Sequence, residues 1–157
     1  MRSRLFILLF TLISAISYAQ VIANKASLIG ENEKEYEQMM TECSTPLLFI
    51  TNNSMDEAYK LWTKMLAKME ADASEQGIDI KGVKVWMNLF WEADGSIKKI
   101  VYYPKPNSKN MDFDQLTSFL QIFADSYVLD ISHSTCFSHY GSATFPVFTK
   151  ITLPNEK

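Results

Sequence analysis

Val83-Lys84-Val85-Trp86-Met87-Asn88-Leu89-Phe90-Trp91-Glu92, then Ala93-Asp94-Gly95-Ser96, then Ile97-Lys98-Lys99-Ile100-Val101-Tyr102-Tyr103 is the stretch that decides the fold. Two apolar runs joined through an Asp-Gly pair read as an antiparallel hairpin, because glycine accepts the positive φ that such turns need. Side chains alternate across a strand, so Val85, Met87, Leu89 and Trp91 share one face. Lys84, Trp86, Asn88, Phe90 and Glu92 share the other. The turn register decides whether Ile100 and Tyr102, or Val101 and Tyr103, join Trp86 and Phe90. Pro104 and Pro106 end the second strand.

Upstream of the hairpin, Ser54 and Glu57 form a capping pair. Ala58, Leu61, Trp62, Met65, Met69 and Ala73 follow at helical spacing, and Gly77 is placed to end the helix. This predicts a helix from Met55 to about Gln76. Asn32 can cap a shorter helix through about Cys43, with Tyr36, Met39, Met40 and Cys43 on one face. Thr45-Pro46 ends it, and Leu47 to Thr51 has the length of a buried strand. Downstream, Asp112 and Gln115 cap a helix whose stripe is Phe113, Leu116, Phe119, Leu120, Phe123 and Tyr127. Asp130 to Ser142 is Ser/Thr-rich and reads as irregular. Ala143 to Leu153 alternates as a final strand, with Pro146 at an edge position or strand start.

The resulting order, α-β-α-β-β-α-β, is an α+β fold. It has two layers: a mostly antiparallel sheet with helices on one face. Residues 32–157 form the single domain, preceded by an exposed leader at 20–31.

Residues 1–19 carry the address. Arg2 and Arg4 precede an apolar run from Leu5 to Ile16, and Ser17-Tyr18-Ala19 places small residues before Gln20. That layout is a secretory signal peptide with cleavage expected after Ala19, so the protein is expected to be exported, to the periplasm or outside the cell. Retention as a membrane anchor is the alternative, and only then would the protein sit on a membrane. Cleavage leaves 138 residues and, with Arg2 and Arg4 gone, moves the formal charge from −3 to −5. An acidic chain of this kind argues against nucleic acid as a partner. Cys43 and Cys136 are the only cysteines, and in an exported chain they most simply pair. The bond would close a loop of about 90 residues, worth about 4 kcal/mol in the chain-entropy picture.

The run Val85 to Glu92, then Asp94-Gly95-Ser96-Ile97, then Ile100 and Tyr102, resembles the C-terminal domain of TonB-type energy transducers. The resemblance spans roughly Gly82 to Leu153. It implies a non-catalytic domain of the bacterial envelope that binds partner proteins by adding strands. The chain lacks that family's long Pro-rich spacer.

Two regions are candidates for function. The second face of the hairpin bears large aromatics where a one-sided sheet should be polar. Either the first helix covers it with Tyr36, Met39 and Met40, or Trp86, Phe90 and Tyr102 form a binding surface for a partner. The segment His133-Ser-Thr-Cys136-Phe-Ser-His139 is the other. Its imidazoles and thiol could hold a metal, or make a Cys nucleophile with a histidine base; the competing reading pairs Cys136 with Cys43. No motif specifies a reaction, and no cofactor is expected. The function expected is therefore an exported envelope protein that binds a partner through its sheet. The alternatives are an enzyme centred on residues 133–139, or a structural protein that self-associates through the edge strand carrying Pro146.

Overall fold

A computed structural model describes residues 24–148. The expected signal peptide, its cleavage point after Ala19, and residues 149–153 of the expected final strand lie outside the described residues.

The chain is α+β. In order, its elements are β1 (Ala26–Leu28), α1 (Glu33–Glu42), β2 (Thr45–Pro46), α2 (Leu47–Ile50), α3 (Met55–Glu75), β3 (Lys84–Trp91), β4 (Ile97–Pro104), α4 (Phe113–Ser126) and β5 (Phe137–Thr144). Five strands form one mixed sheet in the order β1-β4-β3-β5-β2. The three long central strands are antiparallel, while the short outer strands β1 and β2 run parallel to their neighbours.

The hairpin forms as its sequence predicts. Gly95 takes φ +87°, and Asp94 Oδ1 accepts from the Ser96 N–H at 2.9 Å. Trp91 pairs with Ile97, but Phe90 pairs with Lys99, so a bulge places one extra residue, Lys98, in β4. The bulge decides the register. In the spacing set by Trp91 and Ile97, Trp86 would oppose Tyr102; one inserted residue makes Tyr103 its partner and turns Tyr102 to the other face.

α3 and α4 cover the first face. Trp62, Met65 and Met69 of α3, and Leu116, Phe119 and Phe123 of α4, bury Met87, Leu89, Trp91 and Ile100 in one core. Ser54 Oγ accepts from the Glu57 N–H at 3.3 Å, and Asp112 Oδ1 accepts from the N–H groups of Asp114 and Gln115 at 2.9 and 3.4 Å. Two of the three predicted N-caps are therefore in place; Asn32 stands at the start of α1, but its side chain makes no capping hydrogen bond. α1 lies on the opposite face of the sheet, so helices are not confined to one side. Its Met39 and Cys43 pack on Phe90 and Val101 in a second, smaller cluster.

Three expectations are corrected. The segment expected as an exposed leader supplies β1, with Ala26 and Ser27 fully buried. It is held because Lys25 C=O accepts from the Ile100 N–H at 2.7 Å, and Lys25 N–H donates to Gln121 Oε1. Leu47 to Ile50 is a short helix rather than a strand, ended by Asn52 and Asn53 at positive φ. The last strand starts at Phe137, inside the stretch expected to be irregular, and Pro146 lies beyond its end.

Candidate binding surface

Sheet register places Trp86, Asn88 and Phe90 of β3 on one face with Lys99, Val101 and Tyr103 of β4 and Ser138, Tyr140 and Ser142 of β5. This face has two halves. α1 covers the half around Phe90: the Tyr36 ring meets Phe90 edge-on at 6.1 Å, and Asn88 Nδ2 donates to Tyr36 Oη at 3.2 Å. Lys99 is buried there, donating to Asn24 C=O and to Glu35 Oε2 at 3.0 Å. Burying the ammonium is tolerable because a carboxylate and a carbonyl both receive it.

The other half is open. Trp86 is 39% exposed, Tyr103 51% and Tyr140 63%. The Trp86 and Tyr140 rings stack with centroids 5.7 Å apart and planes 13° apart, a contact that fixes both side chains. Lys105 Nζ sits 4.0 Å from the Trp86 ring centroid and donates to Ser142 Oγ. An aromatic platform with a cation above it is thus built from three strands.

The outer edge of β5 beside this platform has α2 packed along it but, among the described residues, no strand paired to it beyond Ser138. Phe145 N–H donates to Val83 C=O at 3.0 Å, and Gly82 N–H to Phe145 C=O at 2.8 Å. In an antiparallel ladder these groups alternate, so odd residues of β5 bond to β3 and even residues face outward. β2 pairs only with Phe137 and Ser138. Among the described residues, no strand therefore lies beside the outward groups of Tyr140, Ser142 and Thr144. Ser142 C=O receives a long 3.4 Å contact from Trp62 Nε1.

Of the three residues expected at a binding surface, only Trp86 lies in the open half. Phe90 is fully buried beneath α1. Tyr102 is a core residue on the opposite face, its hydroxyl 3.1 Å from Phe113 C=O and 2.7 Å from Thr117 Oγ1; there burial raises its pKa. The bulge at Lys98 put it there. Tyr103 was the alternative left open by turn register. Tyr140 and Lys105 were missed; the alternation of Tyr140, Ser142 and Thr144 was the available signal.

The residues of the 133–139 segment do not converge. Cys136 is bonded to Cys43, with Cα atoms 4.9 Å apart. His133 Nδ1 accepts from the Thr135 N–H at 3.3 Å in an exposed turn. His139 lies on the core face of β5, its ring 4.7 Å from that of Trp62, and burial lowers its pKa. With its sulfur bonded, Cys136 has no thiol to offer as nucleophile or ligand. Among the described residues no three His, Cys, Asp or Glu side chains gather as a metal set. Two concavities lie elsewhere. One of about 620 Å³ lies at the end of α3 around Glu70, Ser74 and Asp79, and one of about 400 Å³ lies between α3 and Tyr127.

Comparison with protein families, with curated proteins and with solved structures returns no match for this chain.

Proposed function

We infer that the protein is an exported binding module whose partner docks on the open half of the sheet, along the outer edge of β5. The observation that carries this reading is the exposed Trp86–Tyr140 stack beside the stretch of β5 from Tyr140 to Thr144, which no strand among the described residues pairs on its outer side. Rigid aromatics contribute contact area at small entropic cost, and an open edge offers main-chain hydrogen bonds to an incoming strand. Natural sheets usually block such an edge with charge, proline or a cover. Here, among the described residues, β2 pairs with only its first two residues, α2 packs beside it, and Trp62 Nε1 reaches the Ser142 carbonyl. Strand addition is also what the resemblance of the hairpin to TonB-type domains implies. The signal-like start of the chain supports an encounter in the cell envelope.

The test is a photo-crosslinking residue at Tyr140 in the natural host, with Lys64 on the outer side of α3 as the comparison site. A discrete protein adduct should form from position 140, fail to form from position 64, and weaken in Trp86→Ala. Equal adducts from both positions, or none from 140, would overturn the reading.

A further inference from the structure

We propose that the partner segment is an extended, acidic stretch of polypeptide, read by Lys84 and Lys105, which face each other across the strand pair just beyond Trp86. The proposal rests on the docking surface described above and names its partner.

Charge complementarity selects the partner. On this face the strands carry Lys84 and Lys99, with Lys105 just past β4, and no strand residue on it is acidic. Lys99 is already neutralised by Glu35 of α1. Lys25, Lys60, Lys68, Lys98 and Lys109 also have carboxylate partners. Lys84 and Lys105 have none among the described residues. Lys105 is held instead by the Trp86 ring and the neutral Ser142 hydroxyl. Those contacts position the ammonium over the platform while leaving its charge uncompensated. In a chain of formal charge −3, the exposed aromatic end of the sheet is therefore locally basic.

The edge selects polypeptide over other polyanions. The outward N–H groups of Tyr140, Ser142 and Thr144 repeat every second residue of β5, a spacing that another strand matches along its length, although the Ser142 C=O already accepts from Trp62 Nε1. A strand laid there would carry alternate side chains onto the face of Tyr140 and Ser142. Carboxylates at those positions would lie beside Lys105 and displace it from a neutral hydroxyl toward a charge-assisted bond.

The experiment titrates the mature protein with synthetic peptides of about eight residues, the length of a typical strand. One alternates Thr and Glu, one alternates Thr and Lys, and one is the Thr–Glu peptide with N-methylated alternate amides. Protection of the exposed tryptophan from acrylamide reports occupancy. The Thr–Glu peptide should bind at least about ten-fold tighter than the Thr–Lys peptide, and weaken with salt. Methylation should abolish binding. Lys84→Gln with Lys105→Gln should remove the Glu preference while the thermal midpoint stays unchanged.

Equal or stronger binding of the Thr–Lys peptide overturns the acidic partner. So does binding of soluble polygalacturonate as tight as that of Thr–Glu, which would point to a glycan. In either case a position-140 adduct in cells would leave the docking surface standing. No binding by any peptide, together with no adduct, overturns both.

Discussion

Cys43, the residue that closes α1, is bonded to Cys136, 93 positions later, at the foot of β5. α1 is a polar helix that buries only Met39 along its length, so little apolar surface holds it on the sheet. The bond therefore fastens a weakly packed cover over Phe90, helped by Tyr36–Asn88 and Glu35–Lys99. Replacing both cysteines by serine should cost about 2–5 kcal/mol, the usual range for a bond closing so long a loop. Reduction of the folded protein by a dithiol should loosen α1 before the rest. Amide exchange checks this: α1 should lose protection while β3 and β4 keep theirs, and simultaneous loss throughout would refute the cover.

Trp86 and Tyr102 should respond to mutation in opposite ways from their appearance in the sequence. Trp86→Ala removes an exposed ring and should change stability by less than about 1 kcal/mol, while weakening partner binding. Tyr102→Phe removes a hydroxyl bonded to Phe113 C=O and Thr117 inside the core, and should cost about 1 kcal/mol with binding unaffected. Urea midpoints separate the two.

These two residues also show where the sequence was legible. The hairpin, both capped helices, the disulfide and the α+β class follow from patterns within one element or from the chemistry of the only two cysteines. The face of Tyr102 depended on one bulge. Its trace is the spacing of the core residues Ile97 and Ile100, three apart where an unbroken strand keeps inward residues two apart.

Packing across elements hid the rest. β5 reads as a loop because its core face is Phe137, His139, Gly141 and Ala143, small where Trp62 presses on it. A Cβ at Gly141 would lie 2.9 Å from the Trp62 ring. No pattern in residues 137–144 announces that a tryptophan eighty residues earlier fills the space. β1 has only three residues, too few to show a period, and its place is fixed by Lys25, Gln121 and Asp125. The disulfide was legible as a pairing, and the first helix as a cover through Tyr36, Met39 and Met40, yet nothing local said that the cover would stop at Phe90 and Asn88 and leave Trp86 bare.

Gly95 should be the least replaceable turn residue. An added Cβ would lie 2.3 Å from Leu129 C=O and 2.7 Å from Ile131 C=O, and the backbone there holds φ +87°. The Leu129 N–H also donates to Gly95 C=O at 2.8 Å, so the neighbour cannot retreat freely. Gly95→Ala should cost more than about 2 kcal/mol, combining left-handed strain with a backbone clash. Gly77→Ala is the control: its φ is +71° but the space around it is empty, so only the strain of about 1–2 kcal/mol applies. Equal losses in thermal denaturation would show that the Leu129 carbonyl yields.

His139 sets a pH dependence in the mildly acid range. Its ring packs against Trp62 and its strand partner across β3 is Leu89, so burial disfavours the imidazolium and lowers the pKa from 6.5. Between that lowered value and 6.5 the unfolded chain binds more protons than the folded one. Stability therefore rises with pH in this window. The contribution of neutral His139 is complete above 6.5 and is lost as pH falls through the folded-state value. Urea denaturation from pH 7.5 to 5 should show a falling midpoint in the parent protein. His139→Gln should flatten it, whereas His133→Gln, in the exposed turn, should leave the slope in place. Asp79 and Asp94 have pKa values lowered from 3.8, by Lys109 and by Ser96, so their acid-labile contributions fall below this range and do not mask it. An unchanged slope in His139→Gln would show that the imidazole meets water in the folded protein.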